Sequence, residues 1–431
     1  MPQNDADIGA EMYGWARDLF PICRSLTGPG VRATLGYIKK LLPGLEIHSV
    51  PTGTKAFDWT VPDEWTVRDA YIADEAGNRV VDFRESNLHV LGYSEPVDRV
   101  LELSELQAHL NSMPEQPGAI PYRTSYYKRR WGFCLSENQR RALKPGRYRA
   151  VIDSDLKPGV MNYADLVLPG RSEREVLFST YVCHPSMANN ELSGPAVTAA
   201  LARMLTGMNR RFTYRFVFIP ETLGSIVYLS KHIEEMKRKT IAGFVVTCVG
   251  DERAYSFLPS RLGITFADRL ARRVLRAKVE YKEYPFIENG SDERQYCSPL
   301  VDLPVVSIMR TKYDTPGFPE YHTSLDNLDL ITPQGLRGGF DIYRRCIDAL
   351  ESAKLYRAVV PGEPQLGKRG LYPSLSTTDT FATVKNMMGL LAYADGTHDL
   401  ADIADILGAS EQECAALAGK LSTAGLLEEI A

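Results

Sequence analysis

The chain has 431 residues, of which 44% are hydrophobic and 24% are charged, and its formal net charge is −4. This length allows two or three domains, and the charge gives no general signature of nucleic-acid or membrane binding. There is no apolar run of about 18 residues, and the first residues lack the basic start and apolar stretch of a signal peptide. Seven scattered cysteines without a CxxC pair are typical of a reduced, cytoplasmic protein.

Helical spacing dominates the first part of the chain, and strand-like segments follow it. Apolar residues recur at helical spacing over 8–42, with a break at the Gly-Pro-Gly sequence of 28–30. From about residue 45 the chain is rich in β-branched and aromatic residues, with prolines between the segments. We therefore predict a broken helical segment and then a β-rich block, which contains one short helix over 98–112.

Strands and helices alternate from about residue 174 onwards. Continuous apolar runs predict buried strands, and amphipathic segments between them predict helices. This alternation predicts an α/β fold with a mostly parallel sheet that is covered by helices on both faces. The predicted strands cover 174–184, 213–221, 241–251 and 301–310, and the predicted helices cover 192–205, 224–238 and 260–277.

The last part of the chain predicts a small separate domain. After a connector rich in proline and glycine, three helical stretches occupy 378–394, 398–407 and 410–425, and the last two form a helix-turn-helix pattern. Residues 361–431 hold four Lys/Arg and ten Asp/Glu, a net charge of −6. Because affinity for phosphates depends mainly on cationic contacts, nucleic acid is an unexpected partner. We predict a protein-interaction module, through which the chain could form a homo-oligomer.

Three polar side chains follow the predicted strands directly. His184, Glu221 and Asp251 each lie at the carboxyl end of a strand, where ligands bind in parallel sheets. Imidazole is the commonest protein ligand for zinc. A carboxylate at the border of an apolar strand is partly desolvated, which raises its pKa toward a value that suits a general base, here Glu221. Alternatively, His184 is only hydrogen-bonded, Glu221 caps a helix and Asp251 belongs to a turn.

Two further segments contain candidate ligands. Glu191 lies seven residues after His184, at the start of a predicted helix whose dipole favours a carboxylate; it either binds metal or caps a turn. His322 lies in a polar loop beside Tyr321, a candidate substrate contact, and four residues before Asp326. Since a carboxylate is the usual partner of a ligating histidine, this loop predicts a second metal ligand, or else an ordinary polar loop.

Two more polar segments are candidates for substrate contact. The loop over 288–299 carries Asp292 and Arg294, and it either contacts substrate or is simply solvated. Basic and aromatic residues alternate over 126–131, which suits contact with a sugar or nucleic acid or an edge strand beside the core. The sequence contains no Walker loop, GxSxG elbow or HExxH motif.

Four motifs together resemble a bacterial family of aminopeptidase-like proteins. They are CHPSMANNELSGP at 183–195, FIPETLGSIVYL at 218–229, GSDERQYCSP at 290–299 and YHTSLDN at 321–327. That family combines a zinc-peptidase domain of the M28 type with an inserted domain and a C-terminal winged helix, and the resemblance covers nearly the whole chain. It implies a catalytic domain of the zinc-aminopeptidase type, an inserted β-rich lid over the sheet ends and a winged helix. The expected boundaries are 1–47 with 159–355 for the catalytic domain, 48–158 for the lid and 360–431 for the winged helix.

The resemblance also implies a metal site. M28 relatives hold two zinc ions with a first histidine, a bridging aspartate, a pair of glutamates, a further aspartate and a last histidine. His184 matches the first histidine and His322 the last. Glu221 matches the glutamate that acts as general base in those peptidases.

Three positions depart from that pattern. Asn190 occupies the place of the bridging aspartate, Thr222 that of the second glutamate, and Thr247 lies nearest to that of the further aspartate. Neutral amides and hydroxyls are poor substitutes for carboxylates at a dication. We therefore expect one zinc ion, held by the two histidines and by Glu191, Asp251 or both, with a water in the remaining position.

These features predict a metal-dependent hydrolase of an amide bond, preferably an aminopeptidase-like enzyme acting on a peptide or small amide. In that reaction a metal-bound water attacks the amide and Glu221 accepts its proton. One alternative is a deacylase or amidase that acts on an amino sugar or secondary metabolite in polysaccharide or small-molecule biosynthesis. Another is a non-catalytic binding or regulatory protein, since the ligand set is altered and a winged helix is present.

Overall fold

The structure, a computed structural model, describes residues 8–371 and 378–430. Helices and strands alternate through most of the chain. The helices are α1 Ile8–Leu19, α2 Pro29–Leu41, α3 Leu103–Leu106, α4 Glu137–Ala142, α5 Ser193–Thr206, α6 Leu223–Lys239, α7 Phe266–Arg276, α8 Glu293–Tyr296, α9 Pro333–Ser352, α10 Thr378–Tyr393, α11 Leu400–Leu407 and α12 Glu411–Thr423. The strands are β1 Glu46–Pro51, β2 Lys55–Ala56, β3 Trp59–Thr60, β4 Glu64–Ala73, β5 Arg79–Asp82, β6 Val97–Glu102, β7 Leu110–Asn111, β8 Phe133–Cys134, β9 Arg147–Lys157, β10 Val160–Leu168, β11 Glu175–Tyr181, β12 Thr213–Ile219, β13 Thr240–Val245, β14 Ser256–Leu258, β15 Lys282–Glu283, β16 Val305–Met309, β17 Leu355–Ala358, β18 Asp395–Asp399 and β19 Leu427–Ile430.

An eight-stranded mixed sheet forms the centre of the large domain that the sequence predicts as catalytic, and which we call the catalytic domain on that basis. Its strand order is β1-β10-β12-β11-β13-β16-β14-β15. The central strands β12, β11, β13 and β16 run parallel, while β10 pairs antiparallel with both of its neighbours and β14 pairs antiparallel with β16 and parallel with β15. Side chains of β11 alternate between two cores: Phe178 packs on the side of α1, α5, α7 and α9, and Leu177 on the side of α6 and the β-rich block. Both faces are therefore covered, and the predicted fold class is confirmed.

The β-rich block contains a four-stranded antiparallel sheet in the order β5-β4-β9-β6. Its apolar side chains share one core with α6 and a face of the central sheet. The predicted helix over 98–112 is wrong at its start, because Val97–Glu102 forms β6 and pairs antiparallel with β9. Helical turns follow only at α3 and at the 3-10 turn Gln107–His109. Pairing with a neighbouring strand satisfies the backbone of this segment, and the local apolar spacing does not report that pairing.

The C-terminal unit combines the three predicted helices α10, α11 and α12 with a three-stranded sheet in the order β18-β17-β19. It docks on the catalytic domain through α7. Arg269 Nε lies 2.8 Å from Asp402, and Arg273 lies 2.5 Å from Asp399 and 2.9 Å from Asp402. Both aspartates are 3% exposed at the side chain, so these ion pairs are largely shielded from water.

The interface predicts a measurable stability effect for Arg273→Gln. The change leaves the buried carboxylate of Asp399 without its cationic partner, so we expect a loss of about 1–3 kcal/mol in the free energy of unfolding. Urea unfolding followed by circular dichroism measures it. Arg276→Gln is the matched control, because Arg276 is exposed on the same helix. Equal effects of the two changes would contradict the importance of this ion pair.

Two expectations about the chain as a whole concern cysteines and membranes. All seven cysteines lie in the described part of the chain and carry free thiols. Among the described helices, none combines the length and apolar character needed to cross a membrane.

Candidate metal centre

His184 lies in a buried loop directly after β11, as the strand-end argument predicts. Its Nδ1 is 2.8 Å from Glu191 Oε2, and its Nε2 is 3.6 Å from Glu221 Oε2. Glu221 follows the parallel neighbour β12 in the same way. A ligating histidine usually bonds a carboxylate through the nitrogen that does not bind metal. The hydrogen bond to Glu191 therefore leaves Nε2 of His184 to face Glu221 and any cation beside it.

Glu191 consequently has a different role from the predicted one. Besides His184, it contacts the buried guanidinium of Arg24, whose Nε lies 3.4 Å from Glu191 Oε1. Arg24 also donates to the carbonyls of His184 and Leu19, both at 2.8 Å. The carboxylate therefore pairs with an arginine and with the histidine, and these contacts favour a role as the partner of a ligand over the predicted role as a ligand.

Asp326 shapes the loop that carries these groups. Residues Ala188–Leu192 form a single π-helical turn, a feature that often occurs at functional sites. The carboxylate of Asp326 accepts the backbone N–H groups of Ala188, Asn189 and Asn190 at 2.6–3.1 Å. Asp326 thus holds the π-helical turn in place, whereas the sequence predicted it as the partner of His322.

Asp251 does not join the predicted metal ligands. Strand β13 ends at Val245, so Asp251 lies beyond the strand end that the sequence predicted for it. Its two oxygens accept four hydrogen bonds, from Asn189 Nδ2, from Arg253 N, and from both the N–H and the hydroxyl of Thr311. The donors occupy the positions that a metal would need, and this replaces the predicted ligand role of Asp251 with a structural one.

His322 lies next to His184, with ring centroids 5.4 Å apart. Tyr321 stacks on His322 at 3.9 Å. Tyr122, from the β-rich block, meets both histidine rings edge-on at 5.2 Å, and its N–H donates to the carbonyl of His322. Burial lowers the pKa of His322 to about 3, so this imidazole is neutral and keeps a lone pair for a ligand.

Glu221 lies at the border of the site, with 24% of its side chain exposed. Its Oε1 accepts the hydroxyl of Ser291 at 2.5 Å. Burial raises the pKa of Glu221, which brings the carboxylate closer to the range of a general base. Next to Ser291, Asp292 accepts the N–H of Thr222 and the hydroxyl of Ser225. Burial and the charge of Glu221 raise the pKa of Asp292 to about 8.

The predicted substrate contact Arg294 is not brought to the site, since its side chain is exposed on α8. Conversely, sequence reasoning did not identify Arg24 or Tyr122 as site residues. No local signal marks Arg24, which follows α1 and is 160 residues from the carbonyl it binds. Tyr126 falls within the basic and aromatic segment over 126–131, and its hydroxyl lies 3.4 Å from that of Tyr122.

Backbone conformations with positive φ occur in the loops that carry the candidate site residues. Among the non-glycine residues with positive φ are Ser186 at 29°, Thr222 at 61°, Cys248 at 52° and His322 at 56°. Such conformations cost free energy and persist where the surrounding structure enforces them, often at functional sites. Each of the four residues lies in a loop that carries or borders a candidate site residue.

These residues fit one divalent metal. Two imidazoles that bind one tetrahedral zinc ion have ring centroids roughly 5 Å apart, close to the 5.4 Å between His184 and His322. In addition, the buried Oδ1 of Asn190 has no hydrogen-bond partner among the described residues. Although burial disfavours a charged His184, Cys183 and Glu191 raise its pKa, so a proton competes with a metal for Nε2.

A second metal does not fit. The hydroxyl of Thr247 is bonded to the hydroxyl of Tyr181 and to the carbonyl of Asn190, and the amide of Asn190 donates to Tyr181. At Asn190 and Thr247, two of the positions that would serve a second zinc ion, the side chains are therefore neutral, and the hydroxyl of Thr247 is already hydrogen-bonded. Neutral groups of this kind replace carboxylates poorly at a dication.

Cys183 offers another arrangement of ligand atoms. Among the described residues, donor atoms of Cys183, His184 and Glu191 lie within 4.8 Å of one another. However, the guanidinium of Arg24 is already at Glu191 and would repel a dication there. Burial also raises the pKa of the Cys183 thiol to about 11. Both features make the Nε2 side of His184 the more favourable place for a cation.

Comparisons with known proteins relate the chain to aminopeptidase-like proteins. A curated relative from Clostridium acetobutylicum, provisionally named a polysaccharide biosynthesis protein with an aminopeptidase-like domain, is 43% identical over 93% of this chain and 92% of its own length. A crystal structure of a provisionally named peptidase from the same species is 41% identical, covers 99% of this chain and 98% of that one, and has a TM-score of 0.83.

More distant structures share the fold. A zinc aminopeptidase from Bacillus subtilis has a TM-score of 0.59 at 12% identity, over 79% of this chain and 94% of that one. An M28 peptidase precursor from Shewanella amazonensis has a TM-score of 0.55 at 13% identity, over 84% and 98%. Residues 354–429 match a winged helix-turn-helix family. Residues 13–353 match the model of DUF4910, a domain of unknown function, and the chain therefore belongs to this aminopeptidase-like family.

Proposed function

We propose that this protein is a metal-dependent hydrolase of an amide bond, with one zinc ion held by His184 and His322. The observation that carries the proposal is the arrangement of three side chains: Nε2 of His184 lies 3.6 Å from Glu221, and the neutral ring of His322 lies beside it. The oxygen of Asn190 is a candidate for a third ligand. Relatives that share the fold include zinc aminopeptidases, which supports the choice of metal and of reaction.

The protein's own groups divide the work of hydrolysis. A divalent metal, when bound, polarises the amide carbonyl and lowers the pKa of a water molecule. Glu221 accepts the proton of the attacking water on Oε2, because Oε1 is bonded to Ser291. It then returns the proton to the leaving nitrogen. Glu191 keeps His184 oriented through Nδ1, so the histidine does not need to reorient during the reaction.

The β-rich block contributes tyrosines to the same site. Tyr122 covers both histidines, and Tyr126 adjoins it through its hydroxyl. Burial raises the pKa of Tyr126 to about 12, so this tyrosine remains a hydrogen-bond donor at neutral pH. We assign the pair to exclusion of water and to donation toward the oxygen that becomes negative during amide hydrolysis.

Metal analysis of the purified protein tests the ligand assignment. In the wild type we expect about one zinc ion per chain, as in other catalytic sites with few protein ligands. In His184→Ala and in His322→Ala we expect near complete loss of zinc. Cys183→Ser is the matched control and should keep its zinc. Loss of zinc in Cys183→Ser with retention in His322→Ala would instead support the arrangement of Cys183, His184 and Glu191. A wild-type protein without bound metal would overturn the proposal.

A non-peptide amide is the second candidate substrate, and a specific cavity favours it. A cavity of about 310 Å³ beside the site is lined by Tyr126, Tyr127, Asp63 and Arg129, among others. Aromatic walls with a few polar groups are typical of small-molecule sites. The name of the Clostridium relative mentions polysaccharide biosynthesis. Parallel assays on aminoacyl amides and on N-acyl amino sugars separate the two substrates, and hydrolysis of only the first would exclude the second.

For the winged helix we propose a protein partner, with a second copy of the chain as one option. The N-terminal turn of α12 exposes Glu411, Gln412 and Glu413, and this acidic surface would repel phosphates. A binding measurement on the full chain with duplex DNA at physiological salt tests the proposal. Tight binding that weakens steeply with salt would contradict it.

A further inference from the structure

A second cavity lies where the winged helix meets the catalytic domain, beside the start of β11, whereas His184 follows the other end of that strand. Its volume is about 550 Å³, within the range of roughly 300–1,000 Å³ that is typical of small-molecule sites. The catalytic domain contributes α7 and the loop before it, and the winged helix contributes Gly396, Thr397 and His398. Both domains therefore form its wall.

The cavity wall carries positive charge without matching carboxylates. Three arginines line it, Arg174, Arg238 and Arg269, and no aspartate or glutamate does. Arg269 is neutralised from outside the wall by Asp402 at 2.8 Å. Among the described residues, neither Arg174 nor Arg238 has a carboxylate within ion-pair distance. Two guanidinium groups at this wall, the half-buried one of Arg174 and the exposed one of Arg238, therefore have no counter-charge from the described residues, in a chain whose net charge is −4.

Arg174 shows why the missing counter-charge matters. Its Nη1 donates to the carbonyl of Gly396 at 3.0 Å. Burial and the nearby guanidiniums of Arg357 and Arg211 lower the pKa of Arg174. A half-buried cation that faces further cations is unfavourable unless an anion joins it. Within 8–371 and 378–430, no carboxylate supplies that anion.

Apolar side chains also line the wall. Ile264 and Leu262 line the cavity and remain 72% and 51% exposed, and Ile241 and Phe266 lie beside them. A wall that combines free guanidinium groups with exposed apolar side chains matches a ligand that has an anionic end and an apolar end.

We propose that this cavity binds a phosphate monoester with a compact apolar group. Guanidinium groups recognise phosphate through paired hydrogen bonds, so Arg174 and Arg238 would contact the phosphate while Ile264 and Leu262 would cover the apolar group. Because Gly396, Thr397 and His398 belong to the winged helix, the bound ligand would also hold this domain on the catalytic domain. The inference does not depend on the function proposed for the metal centre.

Calorimetry on the full chain with 1-naphthyl phosphate tests the proposal. We expect saturable binding, and at least about tenfold weaker binding of 1-naphthol and of inorganic phosphate, since each lacks one half of the ligand. Arg238→Gln should weaken binding of 1-naphthyl phosphate by about tenfold or more, as expected for loss of a charged hydrogen bond. Its side chain makes no hydrogen bond or ion pair with a described residue, so the change should leave folding intact.

Arg171→Gln is the matched control, since it removes the same charge from an exposed position in the loop that leads to Arg174. We expect it to leave binding unchanged. If Arg171→Gln and Arg238→Gln weaken binding equally, general electrostatic attraction accounts for the effect. That result would overturn the proposal. Absence of saturable binding would overturn it too. Binding that survives Arg238→Gln but is lost in His322→Ala would place the ligand at the metal centre instead.

Discussion

Glu221→Gln is expected to lower kcat for amide hydrolysis by about 10²–10⁴-fold, the usual contribution of a general base. The amide is nearly isosteric and can still bond to Ser291, but it cannot accept a proton from water. We expect zinc to stay bound, because His184 and His322 are unchanged. Steady-state kinetics on the amide that the wild type hydrolyses, together with metal analysis of both proteins, measures the effect.

The control for this experiment is Glu173→Gln, which removes a carboxylate from an exposed loop position and should leave kcat unchanged. If Glu221→Gln loses zinc together with activity, Glu221 is a metal ligand rather than the base. If it keeps both, the proposed reaction is wrong. The two readouts therefore separate the assignment of Glu221 from the assignment of the histidines.

Arg24→Met is expected to destabilise the fold by about 3–5 kcal/mol, the usual effect of breaking a buried ion pair from one side. The guanidinium of Arg24 and the carboxylate of Glu191 are both 0% exposed. Without the arginine, Glu191 retains a buried charge, and the carbonyls of Leu19 and His184 lose their donor. Urea unfolding at constant pH measures the loss.

Two further variants test whether the buried ion pair is the cause of this loss of stability. Arg203→Met breaks the partly exposed pair with Glu11 and should cost no more than about 1 kcal/mol. The double change Arg24→Met with Glu191→Gln should recover part of the loss, since it removes the unpaired charge. If Arg24→Met costs no more than Arg203→Met, the buried pair does not support the site as the structure indicates.

Local periodicity was sufficient for most of the central domain. The apolar runs that predicted strands at 174–184 and 213–221 correspond to β11 and β12, and the segment over 192–205 corresponds to α5. These segments are buried on all sides, so their composition reflects their environment directly. At 98–112 the same reasoning failed, because the backbone of β6 is satisfied by pairing with β9, some 50 residues away in sequence.

In the candidate site too, local sequence predicted the positions of some residues, whereas the roles of others depend on contacts between residues far apart in the chain. The positions of His184 and Glu221 followed from two neighbouring parallel strands that end at one edge of the sheet, and the motif at His322 agreed with them. The roles of Glu191, Asp251 and Asp326 did not follow. Each depends on a hydrogen-bond partner far away in the chain: Arg24 for Glu191, Thr311 for Asp251 and the turn at 188–190 for Asp326.

The local sequence thus determined the positions of His184 and Glu221 at the candidate metal centre, since burial and strand-end position depend on local spacing. The tertiary structure determines the role of each side chain. A carboxylate becomes a ligand, a partner of a ligand or a clamp for backbone N–H groups according to the donors that surround it, and here those donors come from α1's end, from the loop after β16 and from the π-helical turn. Long-range packing brings these donors together, and no short window of sequence contains them.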